Sequence, residues 1–486
     1  MVNKRNLIVF YLLLNYGSAC YTIINYMDLN LELLSIQNPW WTGRGGVKKP
    51  SAGFKFDPVI EQYERQTLKW RPAALDKIDL NQDNIYCLYG PKGVGKTTLL
   101  KLIIKKLIEQ DEVNPNSVFF YSCHNLSSYE QLNEIIKLFL NSQTGEKNRR
   151  YIFIDEISVI KNWRKGLDYL LKAAKLMKTT VVLSASSFTE EKNKFGNGFK
   201  NIAVGSLAFA EFANLINPGF FGKIRPENYA GELKKIEYYL DIYLLTGGFI
   251  SPLNDYKENG AVRQSVYSNY LNWFLVYIAR AGRDIILIRQ IMEKLILNLG
   301  APVGYKTLTH KTKAKTHLTA AEYLNILESM FAVKTIYQAA GGRPSSRKAK
   351  KVYFQDPFIF WLFYSYIHGS LNYWQLARER LHNSAVFSHL VENTVFCHLI
   401  KEAELEITYW RDNIKKREIN FLVKRDKKIT PILIRYDKEI SPADFTMLKG
   451  AGFKKGIIIS RDRLENKNGI SIMPLTYFLL FYKELI

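Results

Sequence analysis

The stretch "GPKGVGKT" has the spacing G-x-x-x-x-G-K-T, which runs from Gly90 through Gly95 to Lys96 and Thr97. Glycines let such a loop fold closely around phosphates, so that backbone N–H groups point at the anion. A lysine at this position reaches the β- and γ-phosphates, and the next hydroxyl binds Mg²⁺. The pattern therefore predicts an ATP site. Its nucleotide-binding residues are Gly90, Pro91, Lys92, Gly93, Val94, Gly95, Lys96, Thr97 and Thr98.

A second set of chemical groups follows in "RRYIFIDEIS", where an apolar run ends in two carboxylates. Asp155 is expected to orient Mg²⁺, and Glu156 to polarise the water that attacks the γ-phosphate. A simpler alternative is that the two acids only cap an ordinary strand. The glutamate favours a hydrolysing site over a passive nucleotide sensor. In that interpretation Lys96 and Glu156 are catalytic, and Thr97 and Asp155 are the metal ligands.

The elements that must position these groups alternate between strands and helices. Strands are predicted at 85–89 and 151–154 and in "SVFFYSC", "TTVVLSASS" and "NIAVGSL", and helices at 99–108, about 127–141 and about 163–176. This alternation predicts an α/β fold with a parallel sheet and right-handed crossovers, as in P-loop NTPases. Ser184 and Ser186 fall at the carboxyl end of their strand. Ser186 is a candidate sensor of the γ-phosphate, or a serine that turns the chain.

Several motifs occur in a characteristic order: "NPWW", "GPKGVGKTTLLKLI", "FFYSC", "YIFIDEISVIKNW", "VVLSASS", "LAFAEF", "LTGGF", "KKVYFQDPFIFWLF" and "LVENTVFCHL". In this order they resemble archaeal and bacterial AAA-type ATPases in which a nuclease-like domain follows the ATPase. The resemblance covers nearly the whole chain from about residue 31. It implies an ATPase core, a helical lid, a winged-helix segment and a C-terminal α/β domain of the PD-(D/E)XK nuclease-like type.

The chain departs from this family at positions near the nucleotide. Ala185 stands where the family usually has a glycine, and His124 where relatives tend to have aspartate. The family also has an arginine before the fifth strand, whereas this chain reads "FGNGFKN". If that arginine completes the active site, we expect slow hydrolysis here, or replacement of the arginine by Lys200 or by an arginine elsewhere in the chain. The departures leave ATP binding as the firmer expectation and turnover as the weaker one.

The middle of the chain, from about 280 to 356, is basic and reads as helices followed by a hairpin, the pattern of a winged helix. The predicted nucleic-acid contacts on the hairpin are Arg343, Arg347, Lys348, Lys350 and Lys351. A second basic stretch precedes them and contains Lys306, Lys311, Lys313 and Lys315. Tyr305 and Tyr353 interleave with these charges, as on many phosphate-contacting surfaces. The alternatives are a solvated loop or a protein-docking module.

In the nuclease-like family an acid on one strand and a Glu-x-Lys pair on the next hold a metal, in strands that read roughly "EIDFV" and "PIEVK". This chain has "EINFL" and "PILIR", so Asn420, Leu433 and Arg435 replace the aspartate, glutamate and lysine. Glu392 and Glu418 remain, but they lack the central carboxylates that Mg²⁺ needs. We therefore expect a catalytically inactive nuclease-like domain; an active nuclease would need these two glutamates to recruit a metal unaided. Nearby cations that could still bind DNA are Lys415, Lys416, Arg417 and Arg435.

The composition agrees with a globular chain of several domains, since 47% of 486 residues are hydrophobic and 23% are charged. The net charge of +23 suggests a polyanion partner, most plausibly nucleic acid; the alternative is a basic proteome or a solvated surface. Four cysteines without CxxC spacing argue against a zinc site and a disulfide scaffold. They are Cys20, Cys87, Cys123 and Cys397. Such usage suits a reducing cytosol.

The first residues are harder to interpret. An uncharged stretch from Asn6 to Met27 could be a signal peptide or a short membrane span. The dense apolar run covers only Leu7 to Leu14, and an ATP site needs cytosol. We therefore favour an upstream mis-start before Met27 or a buried helix. The prediction is a cytoplasmic protein without stable membrane insertion.

The sequence thus predicts five regions. These are an N-terminal segment (1–50), a P-loop AAA-type ATPase core (51–215), a helical lid (216–290), a winged-helix-like basic segment (291–356) and a degenerate nuclease-like domain (357–486). The predicted function is ATP hydrolysis with Mg²⁺, coupled to DNA or protein. The alternative is a nucleotide-dependent scaffold with little hydrolysis. AAA-type sites often sit at subunit interfaces, so a homo-oligomer is also open.

Overall fold

A computed structural model describes residues 31–41, 57–142, 148–165, 178–187, 199–314, 316–340, 343–412 and 414–486. The expectations for the first 30 residues lie outside these ranges, as does most of the helix predicted at 163–176. Among the helices described, none is both long enough and apolar enough to cross a membrane.

The helices are α1 (Leu31–Gln37), α2 (Pro58–Arg65), α3 (Lys96–Glu109), α4 (Tyr129–Ser142), α5 (Phe209–Ile216), α6 (Pro218–Phe221), α7 (Tyr229–Thr246), α8 (Ile250–Asn259), α9 (Gln264–Arg280), α10 (Ile285–Leu297), α11 (Tyr305–Thr309), α12 (His317–Ser329), α13 (Pro357–Ile367), α14 (Tyr373–Leu381), α15 (Ser384–Leu399), α16 (Pro442–Gly450) and α17 (Leu475–Leu485). The strands are β1 (Ile85–Tyr89), β2 (Val118–Ser122), β3 (Arg150–Asp155), β4 (Thr179–Ala185), β5 (Phe199–Ala203), β6 (Val333–Ala340), β7 (Arg343–Phe354), β8 (Glu406–Asp412), β9 (Arg417–Arg425), β10 (Lys428–Ile434), β11 (Gly456–Ser460), β12 (Glu465–Lys467) and β13 (Ile470–Pro474).

Five strands form one sheet in the order β2-β3-β4-β1-β5. β2 and β3 run parallel with Ser122 opposite Asp155, and β3 and β4 run parallel with Ile154 opposite Leu183. Strands β2, β3 and β4 are buried along almost their whole length. Such continuous apolar strands are typical of a parallel sheet that is covered on both faces. The predicted α/β core and its five strands are confirmed.

Contacts divide the chain into two compact units, the first of which contains the described parts of 1–61, 80–85 and 100–183. In this unit the "NPWW" segment lies along strand β2. The Asn38 side chain accepts a hydrogen bond from the Phe120 N–H (2.6 Å) and donates one to the Phe120 carbonyl (3.0 Å). The indole N–H groups of Trp40 and Trp41 donate to the Val118 carbonyl. These side chains satisfy the edge of β2 as a neighbouring strand would.

The second unit contains residues 62–79, 86–99 and 184–486, and it includes an eight-stranded sheet. The strand order is β12-β13-β11-β10-β9-β8-β6-β7. β6 and β7 form an antiparallel hairpin, and β6 also pairs in parallel with β8, with Tyr337 opposite Thr408. The hairpin that the sequence predicts as a wing therefore shares one sheet with the strands of the C-terminal region. Helices α10, α11 and α12 precede it in the chain.

Candidate nucleotide site and C-terminal cavity

The phosphate loop connects β1 to α3, as the sequence predicts, and its first glycine is tightly enclosed. The Gly90 N–H donates to the Ala185 carbonyl (3.2 Å), and the Val204 N–H donates to the Tyr89 carbonyl (2.8 Å). A Cβ atom on Gly90 would lie 1.9 Å from the Val204 carbonyl oxygen, which no side chain tolerates. The close approach of β5 therefore requires glycine here.

Lys96 begins α3, and its side chain is almost fully buried against the loop. Its ammonium group donates to the carbonyl oxygens of Gly90 and Pro91, both at 2.8 Å. A buried cation must be balanced by acceptors or by an anion. These two carbonyls hold the Lys96 charge at the loop, where the glycine-rich pattern predicts that the β- and γ-phosphates bind.

Tyr270 on α9 contacts the loop at Gly93, a contact that the sequence analysis missed. Its hydroxyl donates to the Gly93 carbonyl at 3.2 Å. Gly93 has a φ of +86°, and a Cβ atom there would lie 2.3 Å from the Tyr270 hydroxyl oxygen. The Tyr270 ring packs on Phe249 and Phe358, with centroids 5.4 and 4.9 Å away. One tyrosine in a helix rich in aromatic residues gives no sequence signal for this role.

Asp155 ends β3 and Glu156 directly follows it, and both are nearly inaccessible to solvent. Glu156 has a left-handed backbone, with φ 55° and ψ 41°. Residues other than glycine rarely adopt this conformation, and it costs about 1–3 kcal/mol where it is enforced. Burial raises the pKa of the Cys123 thiol, and the charges of Asp155 and Glu156 raise it further. The two carboxylates thus create a negative field at the end of this strand.

A buried ion pair lies close to this carboxylate pair within the first unit. The Lys101 ammonium on α3 lies 3.0 Å from the Asp57 carboxylate. It also lies over the Phe120 ring, 3.7 Å from the centroid. Burial lowers the pKa of Lys101, while the charges of Asp57 and Asp155 oppose this shift. Sequence reasoning did not single out this pair, because Lys101 reads as part of the polar face of a helix.

Ser186, the candidate γ-phosphate sensor, and Lys200, the possible substitute for the arginine, lie at different ends of the sheet. Ser186 is buried and directly follows Ala185, the residue that accepts a hydrogen bond from Gly90. Lys200, considered as a replacement for the missing arginine, lies elsewhere. Its ammonium is 5.6 Å from the ring of Tyr86, near the amino end of β1. The loop follows the carboxyl end of that strand, so Lys200 does not take the arginine's place within this chain.

A buried polar cluster joins the other quoted motifs within the second unit. The Asp356 carboxylate accepts hydrogen bonds from the N–H groups of Gly248 (3.0 Å) and Phe358 (2.8 Å). The Lys401 ammonium donates to the hydroxyl (3.2 Å) and the carbonyl of Ser206. Burial raises the pKa of Asp356, and the Ser206 hydroxyl and the Lys401 charge oppose the rise. Ser206 of this cluster lies two residues after Val204, and Val204 packs on Gly90.

Only some of the cations in the basic segment (291–356) are exposed to solvent. Exposed cations in its described part are Lys306, Lys311, Lys313 and Lys348. Lys315 and the side chains of Arg343 and Arg347 lie outside the described residues. The exposed lysines belong to α11, to the turn after it and to β7.

Two of the predicted nucleic-acid contacts, Lys350 and Lys351, are instead buried, with 3% and 0% exposure. The Lys350 ammonium lies over the Tyr305 ring, 3.4 Å from its centroid. Tyr353, expected to interleave with exposed charges, is also buried and donates its hydroxyl to Glu392 (2.6 Å). Lys350 and Lys351 are therefore corrected to internal residues, because both faces of β7 are covered here, one by Tyr305 and the other by Glu392 and Glu418.

Most of the residues discussed for the expected nuclease-like site line a cavity of about 370 Å³ in the second unit. Glu392, Glu418, Asn420 and Arg435 line it, together with Ile434. Leu433, at the position expected to hold a glutamate, lies instead in the hydrophobic cluster beneath the sheet. Arg435 forms a two-point ion pair with Asp444 at 2.9 and 2.8 Å.

The Lys351 ammonium lies between the two remaining glutamates of this cavity. It is 2.9 Å from Glu392 and 2.5 Å from Glu418. Burial lowers the pKa of Lys351, but the two carboxylates outweigh it and raise the pKa above its ordinary value. In the described part of the chain, no group of three His, Cys, Asp or Glu side chains is placed to hold a metal ion.

Comparison with known families agrees with the first half of this picture. Residues 82–213 match the AAA domain family. Residues 237–363 match a domain of unknown function, DUF8612, and residues 387–478 match another, DUF4143. The matches to the C-terminal half therefore carry no functional description.

Individual relatives are distant. Over 108 residues the chain is 29% identical to an uncharacterized ATP-binding protein of Methanocaldococcus jannaschii, in a match that spans 22% of this chain and 27% of that protein. The chain is 14% identical to the Aeropyrum pernix ORC1 protein solved in complex with DNA, covering 58% of this chain and 86% of that one with a TM-score of 0.28. It is 17% identical to a RuvB variant of Thermotoga maritima, covering 54% and 85%, with a TM-score of 0.27. The phosphate loop and the parallel sheet lie within residues 82–213, the part of this chain that is similar to the AAA domain family.

Proposed function

We propose that this protein hydrolyses ATP with Mg²⁺ and couples the nucleotide cycle to the engagement of DNA or protein. The observation that carries the proposal is the buried Lys96 ammonium, held at the glycine loop by the carbonyls of Gly90 and Pro91. A cation in this position balances the negative charge that develops on the phosphates during phosphoryl transfer.

Each further group has a defined part in the proposed reaction. Backbone N–H groups of the loop bind the phosphates, and Ser186 contributes a hydroxyl beside them. Glu156 orients and polarises the attacking water. The hydroxyl of Thr97 and the carboxylate of Asp155 are hard oxygen donors that suit Mg²⁺, which would neutralise charge on the phosphate oxygens. The strained backbone of Glu156 supports a functional role, because strain of this kind clusters at active sites.

Coupling to the rest of the chain is supported by two contacts of the loop within the second unit. Gly93 contacts Tyr270, whose ring packs on Phe358 in the "DPF" motif. Gly90 contacts Val204, which is followed by Ser206 and its bond to Lys401. Through these contacts, a change of loop geometry on nucleotide binding would also move residues of the buried Asp356 cluster. This supports an ATPase whose C-terminal half responds to the nucleotide.

We propose DNA as the partner through a winged-helix-like arrangement of α10, α11, α12 and the β6–β7 hairpin. The exposed lysines of this segment support binding to a phosphate backbone without base-specific contacts. The C-terminal region would act as a nuclease-like domain without nuclease activity, since Asn420 and Leu433 supply no carboxylate. Cytoplasmic location and homo-oligomer formation stay predictions of the sequence.

A second candidate function is a nucleotide-dependent scaffold with little hydrolysis. The position of Lys200 near the amino end of β1 favours it, since this residue does not replace the arginine expected beside the nucleotide. In that case ATP would stabilise one conformation of the chain, and a protein partner would bind to that conformation.

ATP turnover with and without duplex DNA, across a salt series, separates the two candidates. A DNA-coupled ATPase should show DNA-stimulated turnover that declines as salt rises, because binding releases counterions. Lys96→Ala should abolish that turnover. Tight ATP binding by the unmodified protein, with no turnover and no response to DNA, would overturn the ATPase proposal in favour of the scaffold.

A further inference from the structure

The Lys351 ammonium is one of the most deeply buried charges in the described part of the second unit. Its side chain has no solvent exposure, and its nitrogen contacts Glu392 Oε1 at 2.9 Å and Glu418 Oε1 at 2.5 Å. An ammonium group without water is tolerated only where acceptors and opposite charges surround it. The two glutamates provide both.

The carboxylate oxygens are also occupied from the other side. Glu392 Oε1 accepts a second hydrogen bond from the Tyr353 hydroxyl at 2.6 Å, and Glu392 Oε2 accepts one from the Asn420 amide at 2.8 Å. The second oxygen of Glu418 lies 3.7 Å from the Arg411 guanidinium. Each of these carboxylate oxygens therefore already faces a donor or a cation of the protein.

Asn420 completes the arrangement in a way that aspartate could not. Its side-chain N–H donates to Glu392, while its oxygen accepts a hydrogen bond from the Ile434 N–H at 3.0 Å. An aspartate here would place a third negative charge beside Glu392 and would have no proton to donate to it. The amide therefore fits a site with an internal cation, and an aspartate would fit a site with a divalent metal.

The charges lead to the same conclusion. A divalent ion would bring two positive charges to Glu392 and Glu418, which carry two negative charges. Lys351 and Arg411 already bring two positive charges to the same carboxylates. A metal ion added to this site would have to displace the ammonium of a fully buried side chain. The residues present therefore do not fit a metal.

We propose that Lys351 is a permanent counter-cation of Glu392 and Glu418 that takes the place of a divalent metal and excludes such ions from the C-terminal cavity. The two glutamates then form a latent divalent-cation site, which is uncovered only when the ammonium is removed. This role is independent of ATP and goes beyond the loss of the central acids, since it explains how the surviving carboxylates are stabilised. It also explains why a lysine of the basic hairpin is buried.

The test measures Mn²⁺ and Ca²⁺ binding to the full chain without nucleotide, by thermal unfolding and by the electron paramagnetic resonance signal of free Mn²⁺. Lys351→Ser removes the charge and leaves room for an ion. We expect Lys351→Ser to unfold at a lower midpoint temperature than the unmodified protein. Addition of Mn²⁺ or Ca²⁺ should raise that midpoint again by several degrees. Lys351→Ser with Glu392→Gln should lose this recovery.

Lys350→Ser is the matched control, because Lys350 is a buried lysine on the same strand that lies over the Tyr305 ring and not between carboxylates. It should be destabilised without recovery by metal. When Lys351 is present, Glu392→Gln should leave Mn²⁺ binding unchanged, because Glu392 then holds no metal ion. Glu392-dependent Mn²⁺ binding by the unmodified protein would overturn the proposal. So would a Lys351→Ser protein that gains no metal binding, or one that stays unfolded with and without Mn²⁺.

Discussion

The buried ion pair between Lys101 and Asp57 should show strong energetic coupling. The two charged groups are 3.0 Å apart, and their side chains are only 6% and 4% exposed. Removing one partner of a buried pair strands the other charge and costs about 3–5 kcal/mol, whereas replacing both is often close to neutral. Asp57→Ser should therefore lower the free energy of unfolding by about 3–5 kcal/mol.

The two single variants, Asp57→Ser and Lys101→Met, should lose different amounts of free energy of unfolding. Asp57 Oδ1 also accepts hydrogen bonds from the N–H groups of Val59 (3.0 Å) and Ile60 (3.2 Å) at the start of α2. Lys101→Met leaves the carboxylate with these donors, so we expect a smaller loss of about 1–3 kcal/mol. In the double variant, serine can still cap the helix and methionine fills the space of the lysine stem. Its stability should lie within about 1 kcal/mol of the unmodified protein.

Urea unfolding followed by tryptophan fluorescence measures these differences, since Trp40 and Trp41 are buried in the same unit. Hydrogen exchange of the α3 amides then localises the effect. The matched control is Asp76→Ser, which breaks an ion pair with Arg71 whose side chains are 65% and 58% exposed. That exposed pair should contribute about 0–1 kcal/mol. If the double variant lost as much stability as the two single variants together, the pair would be uncoupled and the reasoning refuted.

Three further outcomes follow from the structure. His398 is fully buried, and burial lowers its pKa to about 3. The unfolded chain binds a proton there below about pH 6.5, so stability should fall as pH drops from about 6.5 towards 3, by up to about 1.4 kcal/mol per pH unit. His398→Gln should remove that one-proton slope in pH-dependent urea unfolding, and an unchanged slope would contradict the assignment. Tyr270→Phe removes the hydrogen bond to Gly93 and should weaken ATP binding about 2- to 10-fold in calorimetric titrations, as expected for a bond of about 0.5–1.5 kcal/mol; an unchanged Kd would show that this contact does not shape the loop. Gly90→Ala should weaken ATP binding at least about tenfold, because the new Cβ would strike the Val204 carbonyl and force the loop to move; normal affinity in the same titration would contradict that geometry.

Much of the fold follows from local patterns in the sequence. The strands of the ATPase sheet are short apolar runs, and the phosphate loop has a spacing that few other structures require. These features depend on neighbouring residues, so they can be predicted without knowledge of distant contacts. The substitution at Asn420 is likewise visible in the sequence, and the structure places this residue beside Glu392.

The buried charges could not be predicted in this way. A lysine within a basic loop normally lies in water, and only the fold brings Lys351 to Glu392 and Glu418. Lys101 and Asp57 likewise meet only because α3 and the start of α2 pack together. Their local sequence is that of ordinary surface residues. Long-range pairing, and not residue type, decides these positions.

The most direct test of the central claim compares two glutamates with similar backbone geometry. Glu156 has a φ of 55° and is buried, whereas Glu112 has a φ of 51° and is exposed. Glu156→Gln should bind ATP normally, but its kcat should fall about 10²- to 10⁴-fold, the usual contribution of a general base. Glu112→Gln should match the unmodified protein in both respects. Unchanged turnover in Glu156→Gln would contradict the proposed hydrolytic site.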